Sequence, residues 1–158
     1  MITDCQKIIM TKAGFDQIKK KYDHLVKNKR PAVLNRLAEA RSAGDLSENT
    51  EYSSAKDELA FIDARLEELG KILARARLVE KKDGGWEQAG LGCQVTFRTN
   101  KGQLLLFRIV GEWEADPIAK KISYQSPLGR SLLGKKAGDQ VEVEAPSGKI
   151  IYTIAQIR

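Results

Sequence analysis

The chain has 158 residues, 42% of them hydrophobic and 30% charged, a balance that fits a soluble folded protein with room for one ordinary domain or two small ones. That composition excludes an intrinsically disordered chain, and no apolar run approaches the roughly 20 residues of a membrane span. A net charge of +6 and a pI of about 9.3 favour partners that carry phosphate or acidic surface.

The opening stretch MITDCQKIIM lacks the long apolar core of a signal peptide, so a cytoplasmic location is expected. Cys5 and Cys93 are the only cysteines and His24 the only histidine, which leaves no disulfide framework and no zinc site of ordinary ligand spacing. His24 lies within a helical pattern, without a nearby nucleophile, and reads as a coil-flank residue. There is no glycine-rich phosphate loop. Chemistry in this chain has to run on carboxylates.

Thr11 is a candidate N-cap for a first helix, in which Phe15, Ile18, Tyr22 and Leu25 repeat at spacings of three and four. Pro31 is expected to kink that helix, because its ring clashes with the preceding turn and its missing N–H removes one helix bond. Val33, Leu37 and Ala40 then resume an apolar face. After a short turn near Gly44, residues Tyr52, Ala55, Leu59, Ile62, Leu66, Leu69, Leu73 and Ala76 form an unbroken a/d seam. Two helices of about 30 residues joined by so short a turn must fold back antiparallel, giving a coiled-coil hairpin on the order of 45 Å long. Such an arm either carries its turn to a target or serves only as a rod that separates or dimerises domains.

Glycine takes over at KKDGGWEQAGLG, residues 81–92, and short β-type runs follow at 94–99, 104–111, 120–125, 140–145 and 149–157. Asn100-Lys101-Gly102 and Pro146-Ser147-Gly148 are turn signals, while Ser126 with Pro127 can open a short helix. The predicted organisation is a two-domain α and α+β protein. Residues 1–80 make the antiparallel coiled-coil hairpin, with an acidic tip at 42–51, and residues 81–158 make a small, mostly antiparallel sheet crossed by one short helix.

Between Lys12 and Arg41 there are nine basic and three acidic residues, a net of +6. At about 100° per residue, Lys12, Lys19, Lys27, Arg30 and Arg41 fall within an arc of roughly 80°, a stripe suited to a nucleic-acid backbone or an acidic channel wall. The alternative is a solvated face flanking the seam. The second helix is not cationic, since Asp57, Glu58, Asp63, Glu67 and Glu68 offset Lys56, Arg65 and Lys71.

Within RSAGDLSENTEY, residues 41–52, Asp45, Glu48 and Glu51 stand close together with almost no apolar cover. Asp-x-x-Glu at a helix start can be a capping box. However, Ser47 and Asn49 are alternative caps, and Glu51 adds a charge beyond what the helix dipole uses. The second reading is metal binding. Ionised carboxylates offer hard oxygen ligands, and Mg²⁺ is typically held by one or two of them plus waters and phosphates. Two carboxylates on an exposed turn make half a site, to be completed by another molecule.

EARSAGDLSENTEY, following Arg30-Pro31-Ala32-Val33, resembles the tip of the bacterial Gre transcript cleavage factors, GreA and GreB. FRIVGEWEAD and ISYQSPLGRSLLGKKAGDQVEVEAPSGK resemble the C-terminal domain of the same family, so the likeness spans nearly the whole chain without separating the two subfamilies. It implies an FKBP-like C-terminal domain that docks at the rim of the RNA polymerase secondary channel while the hairpin enters it. It also implies that Asp45 and Glu48 help hold a second Mg²⁺ at the polymerase active centre, where the polymerase cleaves the nascent RNA 3′ end of a backtracked complex. The chain would then be no enzyme itself but a supplier of ligands and placement. Arg41 and Lys56 are implied contacts to RNA or polymerase, whereas Asn49, Glu51 and Tyr52 match the motif and shape the turn. The expected protein is a cytoplasmic monomer, associated with the nucleoid through RNA polymerase, with DNA as a candidate partner and no membrane. Two alternatives stay open: a non-catalytic channel-binding inhibitor of the same architecture, and a free-standing nucleic-acid-binding coiled coil.

Overall fold

The computed structural model describes residues 7–43, 50–79 and 85–158. By contacts the chain divides into two units: Phe15–Arg75, and the described parts of Met1–Gly14 and Ala76–Arg158.

The first unit is the helical hairpin. Helix α1 (Lys12–His24) runs into a π-helical turn at Leu25–Lys29 and on into α2 (Arg30–Ser42), which lies against α3 (Thr50–Arg75). The ion pair of Arg30 with Asp63 and that of Arg36 with Glu58 match ascending positions on one strand of the hairpin to descending ones on the other, so the helices are antiparallel. Val33, Ala55 and Ile62 are buried at its centre, with Leu25, Leu37, Leu59 and Leu66 packed around them. The predicted seam thus faces inward at Ala55, Ile62 and Leu69; Ile72, off that seam, is buried too.

Pro31 stands in the first turn of α2, just past the π-helical turn at Leu25–Lys29. His24, Lys29 and Arg30 all keep helical dihedrals, and the Arg30 N–H donates to the Leu25 carbonyl five residues back. The wider π turn accommodates the proline without ending the helix. It also corrects a phase error. Continuing the 3-4-3 rhythm past Leu25 would place Lys29, Ala32, Arg36 and Glu39 inward, yet Val33 and Ala40 are the buried residues. The seam has slipped by one position, and the π turn absorbs the extra residue. Because of that insertion, Arg30 and Arg41 are rotated by about 100° around the axis relative to Lys19. The expected single 80° stripe is therefore split, and Arg30 is already paired with Asp63 at 2.8 Å.

The second unit is built on a five-stranded sheet of order β5-β4-β3-β7-β6: β3 (Gln94–Thr99), β4 (Leu104–Val110), β5 (Lys121–Ser123), β6 (Gln140–Ala145) and β7 (Gly148–Ile157). Alternation places Val95, Phe97, Ile109, Val141 and Ile154 on one face, where the short helix α4 (Pro127–Leu132) contributes Leu132 to the core. Phe97 stacks on Phe107 with ring centres 5.5 Å apart. Ser126 caps α4 as expected, its hydroxyl accepting from the Gly129 N–H at 3.0 Å. The sheet is mixed, because β4 and β5 pair in parallel while the other pairs are antiparallel.

One ladder was not anticipated. Strand β1 (Ile8–Met10) pairs in parallel with β2 (Ala76–Leu78), the segment that follows α3. The pieces flanking the hairpin in sequence therefore belong with the sheet unit, whereas the expected boundary near residue 80 assigns them to the hairpin. Glu114 completes this junction. It sits in a 3₁₀ turn (Glu112–Glu114) after β4, and is buried. Its Oε2 accepts from the Thr11 N–H at 2.9 Å and the Gly111 N–H at 3.0 Å, and its Oε1 accepts from the Thr11 hydroxyl. That hydroxyl in turn accepts from the Gly14 N–H at 3.1 Å, so Thr11 caps α1 as predicted while it is held by a carboxylate 103 positions away. Gly14 has to lack a side chain here, since a Cβ would lie 2.0 Å from Glu114 Oε1.

Candidate functional site

The site expected from the sequence is the turn of the hairpin, and its two principal residues, Asp45 and Glu48, lie outside the described residues, as do Gly44, Ser47 and Asn49. The helix ends on either side are described. Helix α2 finishes with Ser42, whose hydroxyl donates to the Glu39 carbonyl at 2.8 Å, and Ala43, whose N–H donates to the Ala40 carbonyl at 3.4 Å. Helix α3 begins at Thr50, with Glu51 in its first turn, where a negative charge is favoured by the helix dipole.

Glu51, the third member of the acidic cluster, is committed to Arg36. The Arg36 guanidinium donates to Glu51 Oε1 through Nη2 at 2.7 Å and Nε at 3.2 Å, and to Glu58 Oε2 through Nη1 at 2.7 Å. One cation thus fastens two points of α3, about two turns apart, to α2, in the planar fork geometry that arginine supplies and lysine does not. The hydrogen bond to Glu51 raises the Arg36 pKa, with the bond to Glu58 adding to it. In the sequence Arg36 is one of the nine basic residues between Lys12 and Arg41, with no role of its own assigned. In the antiparallel hairpin, position 36 of α2 meets positions 51 and 58 of α3.

Arg41 lies exposed in the last turn of α2, and Lys56 lies exposed in the second turn of α3. Neither has an ion-pair partner among the described residues, in contrast to Arg30 and Arg36. Tyr52 is half-buried in the hairpin. No group of three or more His, Cys, Asp or Glu side chains capable of holding a metal occurs among the described residues. The other two acids of the expected cluster, Asp45 and Glu48, lie outside the described residues.

Both parts of the chain, the helical hairpin and the unit with the mixed sheet and one short helix, match a family of transcription elongation factors. The chain belongs to that family, the GreA/GreB transcription elongation factors: residues 8–78 match the transcription elongation factor N-terminal domain and residues 84–158 the GreA/GreB C-terminal domain. Among its relatives, the transcription elongation factor GreA of Thermoanaerobacter pseudethanolicus is 40% identical over 96% of this chain and 97% of its own. That of Lactococcus lactis subsp. cremoris is 42% identical over 94% of this chain and 96% of its own. Among solved structures, GreA factor homolog 1 (Gfh1) of Thermus thermophilus is 30% identical, covering 96% of this chain and 99% of its own at a TM-score of 0.44. No helix among the described residues is long and apolar enough to cross a membrane.

Proposed function

We propose that this chain acts on RNA polymerase as a transcript cleavage factor, its hairpin entering the secondary channel and its turn supplying Asp45 and Glu48 to the active centre. The observation that carries this reading is the family match over both halves of the chain, at about 40% identity to GreA relatives across nearly their full length. Geometry within the hairpin supports it. Arg36 takes up Glu51, which leaves two carboxylates at the turn, and Arg41 and Lys56 flank them with positive charge for RNA phosphate or for the channel wall.

Asp45 and Glu48 are the residues that would hold a Mg²⁺ ion, whose chemistry when bound is charge stabilisation and water polarisation. Everything else this chain does is placement. The hairpin presents two anions on a stiff support, the Arg36 strap keeps the first turns of α3 against α2, and the cations beside the turn orient an extruded RNA end. The polymerase remains the enzyme.

The test uses stalled, backtracked complexes carrying labelled RNA. We expect the chain to stimulate Mg²⁺-dependent cleavage, and Asp45→Ala or Glu48→Ala to lower that stimulation by a factor on the order of 100 while binding to polymerase persists. Arg41→Ala and Lys56→Ala are expected to weaken stimulation less. Undiminished cleavage with both carboxylates removed would sink the reading; inhibition of polymerase without any cleavage would assign the chain to a channel-blocking role instead.

A further inference from the structure

The outer face of the five-stranded sheet, opposite the core, carries a basic cavity of about 250 Å³ lined by Gln94, Leu106, Arg108, Ala119, Lys120 and Lys121. Its construction follows from strand register. Gln94 on β3 lies opposite Arg108 on β4, and Arg108 lies opposite Lys121 on β5, so three polar side chains stand in one row across three strands. The neighbouring pair Val95 and Phe107 points the other way, into the core.

The loop that brings in Lys120 is tied down with care. Asp116 Oδ1 accepts from the N–H groups of Ile118 at 3.0 Å and Ala119 at 3.3 Å, and the Asp116 and Lys121 backbones exchange bonds at 2.9 and 3.0 Å. The Arg108 N–H donates to the Lys120 carbonyl at 2.9 Å. Lys120 is held at φ 55°, and among the described residues it is the only one other than glycine with positive φ. A lysine in that conformation is strained where glycine would be relaxed, and such strain persists where the surroundings over-determine it. Asp116, an acid of this same loop, has its Oδ1 on loop amides.

Charge is the second observation. Arg30, Arg36, Arg65, Lys71 and Lys149 each have a carboxylate partner. Arg108, Lys120 and Lys121 have none among the described residues, yet they line one cavity. Three like charges gathered without an acid repel one another unless an anion joins them. The cavity is just below the ~300–1,000 Å³ of sites for drug-sized ligands, which suits a charged group of a few heavy atoms. Arginine's fork and lysine's point charges are the donors phosphate recognition uses, and Leu106 with Ala119 gives an apolar wall for an attached sugar.

We propose that this cavity binds a phosphate group, carried by a nucleotide or by a nucleic-acid backbone. The site is separate from the hairpin turn and does not depend on the cleavage reading. The experiment titrates the full chain at low salt with inorganic phosphate, a nucleoside triphosphate and a short single-stranded RNA, following binding by calorimetry and amide chemical shifts. Shifts should centre on Gln94, Arg108 and residues 119–121. The pair Arg108→Gln with Lys121→Gln should weaken binding about tenfold or more, while the charge-matched pair Lys101→Gln with Lys136→Gln, exposed and outside the cavity lining, should change it less than about twofold. Lys120→Gly should weaken binding and raise the thermal midpoint, a combination that loss of a merely structural residue would not produce. Tighter binding of RNA than of the nucleotide, with a salt dependence that flattens in the pocket pair, identifies the backbone as the source; equal or weaker binding of RNA identifies the nucleotide. Equal losses in the two pairs, shifts centred elsewhere, or no binding of any phosphate probe would overturn the proposal.

Discussion

Glu114 is a carboxylate with three donors aimed at it: the Thr11 N–H, the Thr11 hydroxyl and the Gly111 N–H. Glu114→Gln keeps the shape but turns one acceptor into a donor facing donors, and we expect a loss of about 2–3 kcal/mol in urea denaturation. Gly14→Ala forces a methyl group into the same carboxylate and should cost about 1–3 kcal/mol, with Glu114→Ala in the same chain relieving the clash. None of this was readable beforehand. Glu-Trp-Glu-Ala-Asp is a polar run that looks solvated, and only the fold brings Thr11 to it. Cys93 makes the opposite case, because its apolar surroundings could be read from the strand that follows. Burial pushes its thiol above the ordinary 9.0, so the folded state holds the proton more tightly than the unfolded chain. That contribution is complete below the unfolded value and is lost as pH rises through the folded one. The stability difference between the wild type and Cys93→Ala should therefore narrow as pH rises above 9.0.

Strands β3 and β6 were legible because they alternate apolar and polar residues, and they begin and end where the pattern does, while β4 and β7 were legible as apolar, β-rich runs beside turn signals. Strands β1 and β2 were not, since three residues carry too little pattern and their parallel partner lies a whole hairpin away. The π turn falls between these cases. The offset from Leu25 to Val33 was visible as a break in spacing, but Pro31 offered itself as the explanation, and a kink was expected. Proline and phase make different demands, and the phase can be tested alone. Pro31→Ala restores a donor, yet we expect the Arg30 N–H to stay bonded to the Leu25 carbonyl, because Val33 and Ala40 still have to face α3. Amide exchange and a structure of the variant read this directly. If proline alone imposes the turn, the variant will adopt α spacing and Val33 will rotate out of the core. At the expected turn, Asp45 and Glu48 lie outside the described residues, whereas Glu51 is described and its partner was not legible. Three acids in one turn look alike until Arg36 is seen to claim one of them.

Across the whole molecule, chain order and spatial units do not coincide. The family's two domain matches part between residues 78 and 84, whereas contacts group β1 and β2 with the sheet. A fragment of residues 81–158 therefore lacks part of its own unit, including Met10, which is fully buried, and the Thr11 donors to Glu114. We expect it to be less stable, by about 3 kcal/mol or more, than a chain in which a flexible linker replaces residues 15–75 and both flanks are kept. Chemical denaturation of the two proteins decides the matter. The same arrangement sets a timetable for biosynthesis. Arg30 can find Asp63 after 33 further residues, but Thr11 must wait 103 for Glu114, roughly 5–20 seconds at the pace of a bacterial ribosome. The nascent polypeptide can thus finish its helical hairpin while the sheet unit is still being translated.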